Sequence, residues 1–393
     1  MRRPLIITLL GLALSLVCLG IGAVLFFTVN NRFQTNDPFD RLNISSQLEE
    51  SQTLEVNPDR PLRLQVTNQS GSVTVTGANV DTVKVDVVKT AYDSSQSRAD
   101  QEVKSIQYTI EQTGDTITLQ YELPDSMNFS NKVNTVDFAV TVPENTSLEV
   151  RAGAGDINVS KLRGPVELES GFGRTVLEDI QGAISVDSQS GSIRISGVEA
   201  GREDIVLATD FGEISIVGAT GQNVNIASKS GALKLEDVRL TGDLVASTDF
   251  GEITLEQVNA SSHDLNSSSG SITVDGVRGP LRAHTEFGTI NIANATAVTL
   301  DLLTKSGSIE FAGSLSEGPH SLHSDFGGIT LSLPADSAFN VDLSTDFGQI
   351  SSDIPMTVTG NIDEQHQVGT INGGGGDLKI ETKSGNVSIQ ASR

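Results

Sequence analysis

Tryptophan is absent from this 393-residue chain, aromatic residues make up only 4 % of it, and the three tyrosines, Tyr92, Tyr108 and Tyr121, all lie in its first third. Sugar-binding faces commonly rely on aromatic platforms, so this scarcity counts against a lectin-like surface in the long C-terminal part. Any sugar-binding idea moves to the N-terminal part. A single cysteine, Cys18, excludes an intrachain disulfide. Positive charge is also short: 26 Lys and Arg against 50 Asp and Glu leave a net charge of −24. Phosphate recognition needs clustered cations, so no nucleic-acid partner is expected. Anionic polymers would be repelled unless divalent cations bridged them. The five histidines show no metal-ligand spacing. His320 and His323 are three apart, which on a strand sends them to opposite faces. His263 and His366 align with interior positions of a repeat, and no metal site is expected from them.

What the chain does have begins with an apolar run. Residues 5–29 carry no charge, and at about 1.5 Å per residue they are long enough to span a ~30 Å hydrocarbon core. A cleaved signal peptide has a shorter apolar region and a small-x-small site, which "AVLFFTVNN" does not offer. A lipoprotein cysteine fits poorly, because apolar residues continue well beyond Cys18. The expected organisation is therefore a cytoplasmic stub (1–4), a transmembrane helix (5–29) and a polar linker (30–52). A β-rich region (53–146) and a repeat domain (147–393) follow. Arg2 and Arg3 place the N-terminus in the cytoplasm and the rest outside. Within 53–146, "LRLQVTNQSGSVTVTG" alternates as half-buried strands do. "SSQSRADQEVKSI" reads as a short helix. Whether this region is a separate sandwich or the first coils of the array is left open by the pattern.

The tripeptide Asp249-Phe250-Gly251 would, in a protein kinase, hold magnesium. Here it recurs at Asp210, Asp325 and Asp346, with Glu286-Phe287-Gly288 as a variant, and no kinase companion motif accompanies it. It belongs to a repeat. A glycine returns at 155, 173, 191, 212, 231, 251, 270, 288, 307, 327, 348 and 385, with a degenerate copy at Gly369. Small or apolar residues precede it at −7, −5, −3 and −1 and follow at +2, +4 and usually +7. Two period-two strands flanking a glycine describe one coil of a β-solenoid. The expected fold is thus all-β, a single-chain solenoid of ~19–20-residue coils. A propeller built from paired repeats is the minor alternative.

A second period rides on the first. Position −1 alternates Phe172, Ser190, Phe211, Ser230, Phe250, Ser269, Phe287, Ser306, Phe326. Position −2 alternates in step: Asp210, Asp249, Glu286 and Asp325 accompany Phe, while Gln189, Lys229, Ser268 and Lys305 accompany Ser. Coils of one repeat each would stack Phe on Ser and interleave the lysines with the carboxylates. Coils of two repeats would stack like charges, which destabilises. The short coil is therefore expected, with Phe172, Phe211, Phe250, Phe287, Phe326 and Phe347 inside. The turning glycines are Gly173, Gly212, Gly231, Gly251, Gly270, Gly288, Gly307, Gly327, Gly348 and Gly385. A charged outer face would comprise Asp210, Lys229, Asp249, Glu286, Lys305 and Asp325.

Three stretches, "LRLQVTNQSGSVTVTG", "VDFAVTVPENTSLEVRAGAGDINV" and "GTINGGGGDLKIETKSGNVSI", resemble the DUF4097 family of bacterial β-strand-repeat proteins, grouped as candidate adhesins. The resemblance covers roughly residues 54–393 and implies an envelope-associated solenoid, often behind a transmembrane segment. It carries no catalytic signature. "RAGAGDINV" and "ESGFGRTVL" lead into strands, so they read as corners and not as phosphate loops. "NGGGGDLKI" lacks the tandem nonapeptide of a calcium roll, so at most a single Ca²⁺ is considered there. No cofactor is expected. The carboxylates recur by register, which suits a decorated face more than one asymmetric active site, though a polysaccharide-degrading enzyme remains an alternative. The leading expectation is a membrane-anchored binding or adhesin-like module for an envelope or cell-surface ligand, such as a cationic peptide or protein. A self-associating scaffold competes with it, because "DLKIETKSGNVSIQASR" shows no evident cap.

Overall fold

The computed structural model describes residues 28–30, 44–57, 60–123, 133–359 and 363–392. It divides into two compact units, 1–182 and 183–393. The span expected to cross a membrane lies outside the described residues apart from its last two, which belong to the short strand Thr28–Asn30. Among the described residues no helix is long and apolar enough to cross a membrane.

In the second unit each repeat is one coil of two strands. Val224–Ser230 and Leu233–Leu240 form one such coil. Its first strand pairs in parallel with Ile205–Phe211 on one side and with Asp243–Thr248 on the other. Phe211 is the register partner of Ser230, so the short coil holds. Period-two alternation sends Val224, Ile226, Leu233, Leu235 and Val238 inward, and all five are fully buried. At about 1.5–3 kcal/mol per buried aliphatic side chain, this repeated interior is the main stabilising term.

Two features close each corner. The glycine faces the carbonyl of the preceding coil's glycine. A Cβ on Gly231 would stand 1.8 Å from Gly212 O, and one on Gly251 would stand 1.8 Å from Gly231 O. Only glycine lets the stacked backbones approach that closely. Position −3 supplies a buried hydroxyl: Ser228 Oγ donates to Gly212 O at 3.1 Å and Thr248 Oγ1 to Gly231 O at 3.1 Å. The same bond recurs at Thr209, Ser267, Thr285, Thr304 and Ser324.

The end of this unit differs from the expected exposed terminal coil. Gly376–Thr382 and Val387–Ser392 lie between two other coils. They pair in parallel with His320–Ser324 and Ile329–Pro334 on one side. On the other side they pair with Phe339–Thr345 and Ile350–Ser352. The coil that is last in the chain is therefore next to last in the stack. The outer edge of Phe339–Thr345 is covered by the antiparallel strand His366–Ile371. Gly369 belongs to this covering strand and is not a coil corner. His366, expected inside, is exposed and meets Asp342 at 2.9 Å, because an edge-covering strand has only one face against the stack.

The first unit closes in the same manner. Arg63–Asn68 and Val73–Ala78 form a coil inserted between Ser147–Ala154 with Ile157–Ser160 and Thr116–Tyr121 with Thr135–Pro143. The region 53–146 thus supplies coils. The outermost coil is covered by antiparallel Thr109–Thr113 and Thr82–Asp93. The latter pairs with Ile44–Glu55, so residues 44–52, expected as linker, are strand. The expected helix is Gln96–Ser105, N-capped by Ser95 and packed through Ala99 and Val103. Beneath it Lys89 meets Glu50 at 2.7 Å, both nearly buried, and Tyr108 hydrogen-bonds Glu50.

Candidate functional site

The outward rows of each first strand, counted from the corner glycine, lie at −6, −4 and −2. In the second unit, row −4 is mostly small and half-buried: Ala208, Ala227, Ser247 and Asn266. It floors a groove of about 630 Å³, walled along one side by Asp210, Lys229, Asp249, Glu286 and Lys305. Lysines and carboxylates alternate along this wall and pair: Lys229 to Asp210, Lys305 to Glu286 and Lys383 to Asp325, each at 2.6 Å. Hydrogen bonding and charge from Lys383, with His323 adding to both, hold the Asp325 carboxyl below its ordinary range. Lys383 sits between Asp325 and Asp346, where the inserted coil places it.

Row −1 overturns an expectation. Phe211, Phe250, Phe287, Phe326 and Phe347 in the second unit, and Phe172 in the first, are 60–80 % exposed. The strand's alternation ends at −3, where the hydroxyl is tied to the neighbouring coil. The chain then bends through −2 and −1 so that the glycine can pack on backbone, and position −1 swings outward. Ser230, Ser269 and Ser306 are exposed for the same reason. The fold fills the corner's interior with hydroxyl and glycine and leaves no space there for a phenyl ring. An aromatic platform therefore exists in the array after all, made of phenylalanine.

The inserted coil also repairs the alternation in space. In the chain, Phe326 and Phe347 are consecutive Phe copies. In the stack, Ser384 stands between them, because its coil does. The second unit thus presents ten coils in unbroken order: Ser190, Phe211, Ser230, Phe250, Ser269, Phe287, Ser306, Phe326, Ser384, Phe347.

Of the histidines, His263 and His320 are buried. His263 faces Pro280 O and Val258 O, and burial pushes its imidazole below the usual range. His320 accepts from Leu300 N–H through Nδ1 and donates to Ser316 O through Nε2, again with burial lowering it. His323 points to the opposite face, towards Asp325. Among the described residues, no group of three or more His, Cys, Asp or Glu is placed to hold a metal ion. The stretch considered for Ca²⁺ is a turn in which Asn372 bonds Ala335 O and Ser337 O, and Asp377 meets Asn340.

No curated protein matches the chain. A solved structure from Clostridium sporogenes, described as "a putative cell adhesion protein", aligns over 88 % of this chain and 99 % of its own. The identity is 10 % and the TM-score 0.21, a superposition too poor to bear on fold or function. The family described as Toastrack DUF4097 matches residues 62–256 and, again, 223–390. Together the two matches cover most of the chain, which belongs to the Toastrack DUF4097 family.

Proposed function

We propose that this protein is an adhesin-like binding module of the bacterial cell envelope, held to the membrane by residues 5–29 with its coils on the extracytoplasmic side. Its binding face is the outer face of the first strands in the second unit. One observation carries this reading: the exposed phenylalanines and alternating charges exceed what the coil requires. Corners in the first unit close with Gly71 and Gly155 over neighbouring carbonyls while position −1 is Ser70 and Ala154. Exposing several phenylalanines to water in the second unit has no such structural justification, and an apolar row rimmed by charge marks an interaction surface.

The partner is an envelope or cell-surface ligand, with cationic peptides or proteins drawn by the acidic field. The face works by binding, without turnover or cofactor: three of its carboxylates, Asp210, Glu286 and Asp325, are engaged by lysines, and the acidic positions recur by register along the stack. The test is a binding screen on the full chain in mild detergent against isolated cell-wall glycan, a lysine-rich peptide and Ca²⁺. Saturable binding lost in Phe250→Ser/Phe287→Ser, with the melting curve unchanged, supports the reading. Binding that survives those substitutions removes this face from it. Release of reducing sugar, abolished by Asp249→Asn, would overturn the non-enzymatic role.

A further inference from the structure

We infer that the occupant of this face is a second copy of the same chain, packed with its coils antiparallel. This rests on the reading of the face as a binding surface and names its partner.

A two-fold axis lying in the contact plane, across the coils, places each row of one copy against the same row of the other. It reverses the order of the coils. A row that alternated with an odd number of coils would bring like residues together at full overlap. The second unit has ten coils, an even number, so full overlap brings every Phe coil opposite a Ser coil. The axis then passes between the coils of Ser269 and Phe287. Phe250 meets the partner's Ser306, and Phe326 meets the partner's Ser230.

The charges obey the same rule. Asp249 faces the partner's Lys305, Lys229 faces the partner's Asp325, and Asp210 faces the partner's Lys383. Glu286 faces the partner's Ser268, and Asp346 faces the partner's Gln189. No carboxylate meets a carboxylate and no lysine a lysine. Any shift by one coil inverts this and sets Phe on Phe and charge on like charge. The pattern therefore favours antiparallel registers an even number of coils apart from full overlap, and full overlap, over a strip about 43 Å long at ~4.8 Å per coil, pairs the most coils.

The inserted coil completes the stripe. Without Lys383 and Ser384 the stack would have nine coils and adjacent Asp325 and Asp346. The stripe would no longer be complementary to itself over its full length.

Two copies of net charge −24 repel at long range, while the stripe itself is nearly balanced. Self-association should therefore strengthen from low to physiological salt, as the Debye length falls to about 8 Å. Binding of a cationic ligand should weaken over the same range.

The experiment is sedimentation of the full chain in mild detergent, alone and with two charge-swapped variants. One carries Lys229→Glu, Lys305→Glu and Lys383→Glu; the other carries Asp210→Lys, Asp249→Lys and Asp325→Lys. Each variant alone should dissociate roughly tenfold or more readily than the parent, and an equal mixture should recover dimers. Rescue on mixing cannot come from misfolding, because both chains must present intact stripes. A parent that stays monomeric at every concentration overturns the inference, as does a dimer unaffected by the swaps or a mixture that does not recover. If self-association fails while Phe250→Ser/Phe287→Ser still abolishes capture of the lysine-rich peptide or cell-wall glycan, the binding face stands and only its partner changes.

Discussion

The two units build the same corner and finish it differently. In the first, Gly71, Gly155 and Gly173 each face a neighbouring backbone carbonyl, yet positions −2 and −1 follow no rule: Gln69-Ser70, Gly153-Ala154, Gly171-Phe172. In the second, the corresponding glycines alternate acid-Phe with Lys-Ser, Ser-Ser or Gln-Ser. The coil needs the glycine and the inward side chains. The beat is additional, and it occupies corner positions that face solvent. Comparing the units separates what holds the coils from what they display.

Removal of an inserted coil should have the greatest effect. Deleting residues 376–393 should abolish cooperative folding of the second unit, since it leaves the coils on both sides unpaired; thermal melting and limited proteolysis would report this. If only the end frays, the insertion is not structural. Next comes the shared corner. Gly251→Ala and Gly155→Ala both force a Cβ to about 2 Å from a carbonyl oxygen, and each should cost about 2–4 kcal/mol in denaturant melts. Thr248→Val removes one hydroxyl bond and should cost about 1 kcal/mol.

Acid sharpens the contrast. Burial lowers the His263 imidazole, so its contribution is present above pH ~6.5 and is lost as pH falls through that value. His263→Leu should flatten this slope, because its register neighbours are Leu244 and Leu281. In the first unit, hydrogen bonds from Gln65 and Arg63, with the charges of Arg63 and Arg151, hold Glu149 down to about 2 from 4.5. Its contribution is present above 4.5 and lost between 4.5 and 2, and Glu149→Gln should remove that loss. Hydrogen exchange across pH should show the second unit loosening first. The smallest expected effect is Phe172→Ser, which should leave both self-association and ligand capture unchanged.

The coil, its length and its glycine were legible because period two and the 18–21-residue return are enforced by stacking itself. The face of Phe was not. Counting by twos through −3 to −1 assumes a straight strand, and the chain bends there. Two clues to the bend were present. Position −3 holds Ser or Thr in copy after copy, as a buried bonded hydroxyl demands. Position −1 holds serine in alternate copies, and a buried serine there would lack a partner. The inserted coil left a clue as well: Phe326 and Phe347 follow one another without a Lys-Ser copy between them, and one appears out of turn at Lys383-Ser384. What no pattern in residues 30–52 announces is the strand from Ile44, whose fixed conformation comes from Thr82–Asp93 beside it.

Insertion of the terminal coils also imposes a timetable. Ser324 and its register partner Thr382 are made far apart in time. While a chain emerges in order, the parallel edge of His320–Ser324 and Ile329–Pro334 stays bare until residues 376–392 exist to cover it. The coil of residues 63–78 likewise waits for strands from 116 onward on both of its sides. Each unit is thus fastened by a strand pair that arrives out of spatial order. A chain interrupted before residue 376 presents an open β-edge, and that exposure distinguishes an unfinished molecule from a finished one.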